Sequence, residues 1–177
     1  MAALCHAENA AAVAGGKWRV AHEQAILTEF TGLLAIPNIA SDAVNIRHNA
    51  DAISKMLERR GVISRLLQTA GSPPVVYGEI RPPNALRTVV FYAHYDGQPL
   101  NPKEWATDPW KPVTNDGRIY ARSASDDKAA IVALLTALDA LKSASIPLKQ
   151  NVKFVFEGEE EGDRRTWIAF WPRIRIC

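Results

Sequence analysis

The chain has 177 residues, of which 47% are hydrophobic and 23% are charged, and its formal net charge is +2 at pH 7. This length suits one domain with enough apolar content for a core. The small net charge gives no indication of nucleic-acid binding, and no run approaches the roughly 18 apolar residues of a membrane helix. Cys5 and Cys177 stand near opposite ends, so a disulfide framework is not expected.

The first 18 residues are rich in alanine but do not form a secretory signal. They lack a basic start, and His6 and Glu8 interrupt the apolar stretch. We predict a disordered or poorly specified arm over residues 1–18 and a cytoplasmic protein. An export signal would fit only if the start codon is misassigned.

Three segments have the apolar spacing of amphipathic helices. Residues 19–35 end before Pro37, and residues 43–60 end before Gly61. Residues 128–142 are the clearest helix, with one apolar stripe formed by Ile131, Leu134, Leu135, Leu138 and Leu141. Asp126 and Asp127 precede this helix, where the helix dipole favours negative charge.

Three segments have the composition of strands. Val75–Ile80 lies between two proline pairs, residues 88–93 form a continuous apolar run typical of a strand buried on both faces, and Asn151–Glu157 alternates. Residues 98–116 are predicted to be a loop. The order of elements predicts a layered α/β fold with a mixed sheet, in which the first two strands form a hairpin.

Residues 163–177 differ in composition from the rest of the chain. They hold four arginines and three large aromatic residues without caps or a clean period. This basic and aromatic tail has the character of an added or out-of-frame segment.

Histidine and carboxylate residues follow the predicted strands and precede the clearest helix. His94 and Asp96 end one strand, Asp126 opens the helix, and Glu160 and Glu161 follow the last strand. An imidazole and carboxylates suit zinc or cobalt, a second carboxylate can fix the imidazole tautomer, and a shared carboxylate can bridge two ions. Of two adjacent glutamates, one can bind metal while the other acts as a general base.

Each of these motifs has an ordinary interpretation when it is taken alone. An Asp126-Asp127 pair is more often a helix N-terminal charge pair, and Glu159–Glu161 is more often a solvated acidic turn. The metal-site hypothesis depends on the occurrence of all three motifs, in order, each at the end of an apolar element.

At these residues the chain resembles the dinuclear zinc peptidase and deacylase family. This family includes acetylornithine deacetylase, succinyl-diaminopimelate desuccinylase, glutamate carboxypeptidase and the carnosine-type dipeptidases. The resemblance covers about residues 20–161. The segments from His94 to Pro99 and from Ser125 to Lys128 look most like the dipeptidase branch. The matching motifs are His-Tyr-Asp-Gly-Gln-Pro from His94, Asp-Gly-Arg-Ile-Tyr from Asp116, Arg-Ser-Ala-Ser-Asp-Asp-Lys from Arg122 and Glu-Gly-Glu-Glu-Glu from Glu157.

The resemblance implies a role for each candidate residue. His94 would bind one zinc ion, Asp126 would bridge two, and Glu161 would bind the second. Asp96 would orient His94, and Glu160 would be the general base. The implied cofactor is a pair of Zn²⁺ ions, with Co²⁺ or Mn²⁺ also suited, and the implied substrate is a small peptide or N-acyl amino acid cleaved at an amide next to a free carboxylate. No nucleic-acid or membrane partner is implied.

The resemblance also implies what this chain lacks. Residues 19–162 would be a partial catalytic α/β domain, the N-terminal half of a zinc-exopeptidase-like domain, without the lid or dimerisation domain, so the oligomeric state stays open. The family commonly has glycine where this chain has Ala121, Ser123 and Ala129, and its remaining metal ligands lie further along a longer chain. We therefore expect a truncated metallopeptidase, weakly active or inactive alone, with an aggregation-prone sheet edge.

Two other hypotheses stay open. The chain can be a non-catalytic product of gene decay that binds metal weakly, or an α/β interaction module whose acidic clusters are surface features. Zinc binding that is lost on His94→Ala and Asp126→Ala favours the metal-site hypotheses, and activity separates the first of them from the second.

Overall fold

A computed structural model describes residues 9–68 and 70–162 of the chain. The tail at 163–177 and the first eight residues of the predicted arm lie outside the described residues. No helix within the described ranges has the length and apolar character needed to cross a membrane. The helices are α1 (Ala10–Ala21), α2 (Glu23–Leu34), α3 (Ala43–Glu58) and α4 (Lys128–Ser143). The strands are β1 (Ile63–Leu67), β2 (Val75–Ile80), β3 (Thr88–His94), β4 (Val113–Asn115), β5 (Arg118–Tyr120) and β6 (Asn151–Glu157).

The main sheet has four strands in the order β1-β2-β6-β3. β2 is antiparallel to both β1 and β6, and β3 is parallel to β6. The sheet is therefore mixed, as predicted, but the predicted hairpin between β2 and β3 is wrong because β6 lies between them. Strand order depends on long-range pairing, which the local apolar pattern does not encode.

β3 is an edge strand within the described residues, which corrects the expectation of a strand buried on both faces. Its pairing is with β6 alone, and Phe91 and Tyr92 are 37% and 46% exposed. The continuous apolar run over residues 88–93 was typical of a central strand, yet here it borders the sheet.

Three further segments differ from the sequence prediction. Residues 10–18 of the predicted arm are helical, because α1 begins at Ala10 with Asn9 as its N-cap and packs against α4. The predicted helix over 19–35 is divided at His22 into α1 and α2. The predicted loop over 98–116 contains β4, which pairs with β5 around Asp116 and Gly117.

The helices α2, α3 and α4 share one hydrophobic core with one face of the sheet. The buried residues of this core include Leu33, Ile53 and Leu57 from helices α2 and α3, Ile131 and Leu135 from α4, and Phe154 and Phe156 from β6. The spacing of these residues along the chain places them on the core side of each element, since helical residues three or four apart share one face and strand residues two apart share one face.

The parallel pairing of β3 with β6 determines where the candidate residues lie. The two strands stay in register from Thr88 opposite Asn151 to His94 opposite Glu157. Their carboxyl ends therefore meet at one edge of the sheet, and α4 begins at the same edge.

Candidate metal centre

The centre is built around His94, the last residue of β3. Its Nε2 atom lies 2.9 Å from Asp126 Oδ1, just before α4, and its backbone N–H donates to Asp127 Oδ2 at 3.4 Å. The His94 side chain is 7% exposed, whereas that of Asp126 is 74% exposed. One side of the imidazole is thus enclosed by protein, and its Nε2 side faces an accessible carboxylate.

Asp96 lies behind the imidazole and is completely buried. Its Oδ1 atom is 3.2 Å from His94 Nδ1 and accepts the backbone N–H of Glu160 at 3.1 Å. Its Oδ2 atom accepts the backbone N–H of Glu161 at 2.9 Å. The same carboxylate therefore contacts both the histidine and the glutamate turn.

The glutamate turn consists of residues 158–162, directly after β6. The N–H of Gly162 donates to the carbonyl of Glu159 at 3.2 Å, which closes the turn. Gly158 begins it beneath the buried Tyr95 ring, and a Cβ atom on Gly158 would lie 2.5 Å from Tyr95 Cζ. Tyr95 is itself fixed by a hydrogen bond from its hydroxyl to the Pro74 carbonyl. Glycine is required at position 158 because the ring occupies the space of a side chain.

A second support comes from the segment between α2 and α3. The buried Asn38 donates from Nδ2 to the Tyr95 carbonyl at 2.6 Å and to Ser123 Oγ at 2.9 Å, and its own carbonyl accepts from Gly97 N–H at 2.9 Å. Ser123 has a φ of 61°, the left-handed region that favours glycine. This explains why the resembling family commonly has glycine at that position.

Lys128 connects the start of α4 to the end of α2. It is completely buried, and its Nζ donates to the carbonyls of Leu33 and Ile36 at 2.8 and 3.0 Å. Burial lowers the pKa of Lys128 to about 7. The contact fixes the helix end that carries Asp126 and Asp127.

The carboxylates around His94 change its protonation. Burial lowers the pKa of His94, but hydrogen bonds to Asp96 and Asp126 and the negative charges of both outweigh burial and raise it to about 9. Burial raises the pKa of Asp127, partly offset by the His94 N–H and charge. A pKa of about 9 favours the protonated imidazole at pH 7, and a metal ion held at Nε2 would have to displace the proton on that atom.

The residues present fit a divalent cation. Ligand atoms of His94, Asp126 and Glu161 all lie within 4.8 Å of one another. Ligands that share one ion at about 2.0–2.2 Å are at most about 4.4 Å apart, so small side-chain movements suffice for coordination. One imidazole and two carboxylates are a donor set that zinc, cobalt and manganese accept.

All five residues predicted from the sequence lie in this centre. His94, Asp126 and Glu161 converge through their side chains, Asp96 lies behind them, and Glu160 adjoins Glu161 in the turn. Sequence reasoning missed the structural contributions of Asn38, Asp127 and Lys128. Only Lys128 carried a signal, since a lysine at the first position of an otherwise apolar helix stripe indicates a satisfied buried amine.

Comparison with known proteins identifies the segment. Residues 90–169 match the family model described as Peptidase family M20/M25/M40. The matched range contains His94, Asp126, Glu160 and Glu161, so the candidate centre lies in the part of the chain that resembles an M20 peptidase. It is 37% identical to the human Beta-Ala-His dipeptidase over 95 residues, which are 53% of this chain and 19% of that protein.

Two solved structures extend the match to the fold. The M20 family metallo-carboxypeptidase Sso-CP2 from Sulfolobus solfataricus superposes with a TM-score of 0.71 and 38% identity, over 77% of this chain and 31% of that one. Human carnosine dipeptidase 1 gives a TM-score of 0.81 at 23% identity, over 93% and 38% of the two chains, and this likeness concerns the fold alone. The chain spans well under half the length of each of these proteins.

Proposed function

We propose that this chain supplies three ligands of a dinuclear zinc site, and the general base, of a hydrolase that cleaves an amide next to a free carboxylate. The observation that carries the proposal is the approach of His94, Asp126 and Glu161 ligand atoms to within 4.8 Å of one another. The M20 match and its dipeptidase and carboxypeptidase relatives support the substrate class, a small peptide or N-acyl amino acid. Co²⁺ or Mn²⁺ would also suit the ligands.

We propose a role for each candidate residue that is consistent with its position. Asp96 faces His94 Nδ1, so it leaves Nε2 as the ligand atom, on the side of Asp126. Asp126 is exposed enough to reach two ions, and Glu161 offers a ligand atom within 4.8 Å of those of His94 and Asp126. When bound, the ions polarise the substrate carbonyl and lower the pKa of a bound water. Glu160 would act as the general base that takes a proton from the attacking water and returns it to the leaving amine.

The isolated chain should turn over slowly. Two ions that share Asp126 would each have two protein ligands among the described residues, His94 with Asp126 and Glu161 with Asp126. Catalytic zinc ions ordinarily have three protein ligands, and the loss of one weakens binding and geometry. We also propose a cytoplasmic location for this activity, with no nucleic-acid or membrane partner.

The test is metal-dependent hydrolysis of a panel of dipeptides, which includes β-alanyl-histidine, by the purified chain stripped of metal and reloaded with Zn²⁺ or Co²⁺. We expect slow turnover that requires metal and that is lost in Glu160→Gln without loss of metal binding. Glu159→Gln, in the same turn, is the matched control and should keep both properties.

Two results would contradict this assignment. Turnover that survives both chelation and Glu160→Gln would show that another site or a contaminant is responsible. Metal binding without any turnover, in wild type and control alike, would contradict the proposed hydrolysis. It would show a segment that binds metal without catalysis.

A further inference from the structure

The buried carboxylate of Asp96 has three hydrogen-bonding contacts, and two of them are not to His94. Its Oδ1 accepts the N–H of Glu160 at 3.1 Å, and its Oδ2 accepts the N–H of Glu161 at 2.9 Å. The residues joined in this way lie 64 and 65 positions apart in the chain. The contacts connect the loop after β3 to the turn after β6.

A completely buried carboxylate is costly unless hydrogen bonds satisfy its oxygens. Asp96 is 0% exposed, and two backbone N–H groups together with one imidazole nitrogen meet this need. Hydrogen bonds to an ionised acceptor are stronger than those between neutral groups. Because both amides donate to one rigid group, the backbone at Glu160 and Glu161 is held in one conformation before any metal arrives.

We propose that Asp96 is the positioning residue of the glutamate turn as well as of His94. The resemblance assigns Asp96 to the imidazole alone. In this chain it also fixes the backbone from which Glu161 reaches Asp126 and from which Glu160 reaches the substrate. One carboxylate thus sets the relative placement of ligands from β3 and from the turn after β6. The effect on metal binding and catalysis rests on the proposed function. The hydrogen bonds from the Glu160 and Glu161 amides to Asp96 are present in the metal-free protein.

Another arrangement would fix the turn without Asp96. The Gly162 to Glu159 hydrogen bond and the packing of Gly158 under Tyr95 both restrain residues 158–162. If these contacts suffice, the amides of Glu160 and Glu161 keep their protection when Asp96 is changed. The two arrangements therefore predict different hydrogen exchange.

The first experiment measures amide hydrogen exchange in the metal-free chain by NMR. In Asp96→Asn only the side-chain oxygen can accept a hydrogen bond, so at least one of the two backbone N–H groups loses its partner, and exchange at Glu160, Glu161 or both should accelerate about tenfold or more. In His94→Ala the carboxylate remains, and both amides should keep wild-type protection. Unchanged exchange at Phe154, inside β6, verifies that each variant is folded.

Two outcomes overturn the proposal. Unchanged exchange in Asp96→Asn shows that the turn holds itself, and equal acceleration in His94→Ala shows that Asp96 acts only through the imidazole. If Asp96→Asn does not fold, Asp96→Glu keeps the charge but displaces the oxygens. Its exchange at Glu160 and Glu161 should still exceed that of wild type, and wild-type exchange there would overturn the proposal.

A second experiment uses Co²⁺ alone, with affinity and the visible spectrum as readouts. Outer partners of metal ligands typically contribute about 10–100-fold in affinity. Asp96→Asn should lower Co²⁺ affinity even in a His94→Ala background, because it also displaces Glu161. No further loss in that background would contradict the proposal. Hydrogen exchange is measured without metal, so it tests the positioning role of Asp96 whether or not the chain is a hydrolase. Failure of the hydrolase assignment is therefore distinguishable from failure of the proposed role of Asp96.

Discussion

His94 Nε2 and Asp126 Oδ1 lie 2.9 Å apart, although 32 positions separate the two residues in the chain. The contact exists because β3 ends and α4 begins at the same edge of the sheet. An imidazole and an exposed carboxylate at this distance form a hydrogen bond without metal and coordinate a cation when one displaces the shared proton. The proposed chemistry of this segment depends on that exchange.

Gly158→Ala should destabilise the protein by about 1–3 kcal/mol, because the new methyl group would overlap the buried Tyr95 ring. Gly32→Ala is the matched control, since a Cβ atom there meets nothing within 4 Å inside α2 and should stabilise the helix by about 1 kcal/mol. Urea unfolding of both variants checks the prediction. Equal effects of the two substitutions would contradict the packing described for Tyr95.

An ion-pair cluster should make stability depend on pH. Arg60, 11% exposed, contacts Glu29 at 2.7 Å and Asp139 at 2.8 Å, and Arg59 contacts Glu29 at 2.9 Å. Burial raises the pKa of Glu29, but the arginines outweigh it and hold the pKa below its usual range near 4.5. Because the folded pKa is depressed, the stabilisation is present above about pH 4.5 and is lost as pH falls through the folded value.

Glu29→Gln tests this dependence. It should lower the free energy of unfolding by about 1 kcal/mol at pH 7, and the difference from wild type should shrink at pH 3. Glu23→Gln, at an exposed position of the same helix, should have a smaller effect. Urea unfolding at both pH values provides the measurement. A difference in the free energy of unfolding that is larger at pH 3 than at pH 7 would contradict the predicted pH dependence.

The edge of β3 should promote self-association. Phe91 is 37% exposed on a strand edge that carries no lysine, proline or acidic residue from Thr88 to Ala93. Natural sheet edges are protected by such residues. Phe91→Lys should therefore reduce the associated fraction in light scattering, with its alkyl stem still able to pack against Phe154. Leu86→Lys, at a 96% exposed position outside the strand, should leave association unchanged.

The sequence predicts those elements that have a strong apolar pattern and clear boundary residues, such as proline pairs, at their ends. Val75–Ile80 and Asn151–Glu157 were placed at their observed bounds, and the helix after Asp127 was one residue too short. Proline pairs and unbroken apolar spacing mark these boundaries. β1 was missed because Ser64 and Arg65 interrupt its short apolar pattern.

The sequence of the β4–β5 hairpin contains its own turn signal, the Asp116-Gly117 pair. Asp116 and Gly117 have φ values of 49° and 71°, and an Asp-Gly pair with positive φ at both positions is a common two-residue hairpin turn. The convergence of His94, Asp126 and Glu161 was expected from the ends of three elements. The hydrogen bonds between Asp96 and the glutamate turn were not expected, because almost every residue has a backbone N–H and the sequence does not indicate which of them donates to Asp96.

Metal titration of the stripped chain tests the account most directly. Wild type should bind Co²⁺ with a change in its visible spectrum, and His94→Ala should lower the affinity by about tenfold or more. Asp126→Ala should do the same, while the exposed His48→Ala should match wild type. Equal Co²⁺ affinity in wild type, His94→Ala and Asp126→Ala would contradict the metal centre.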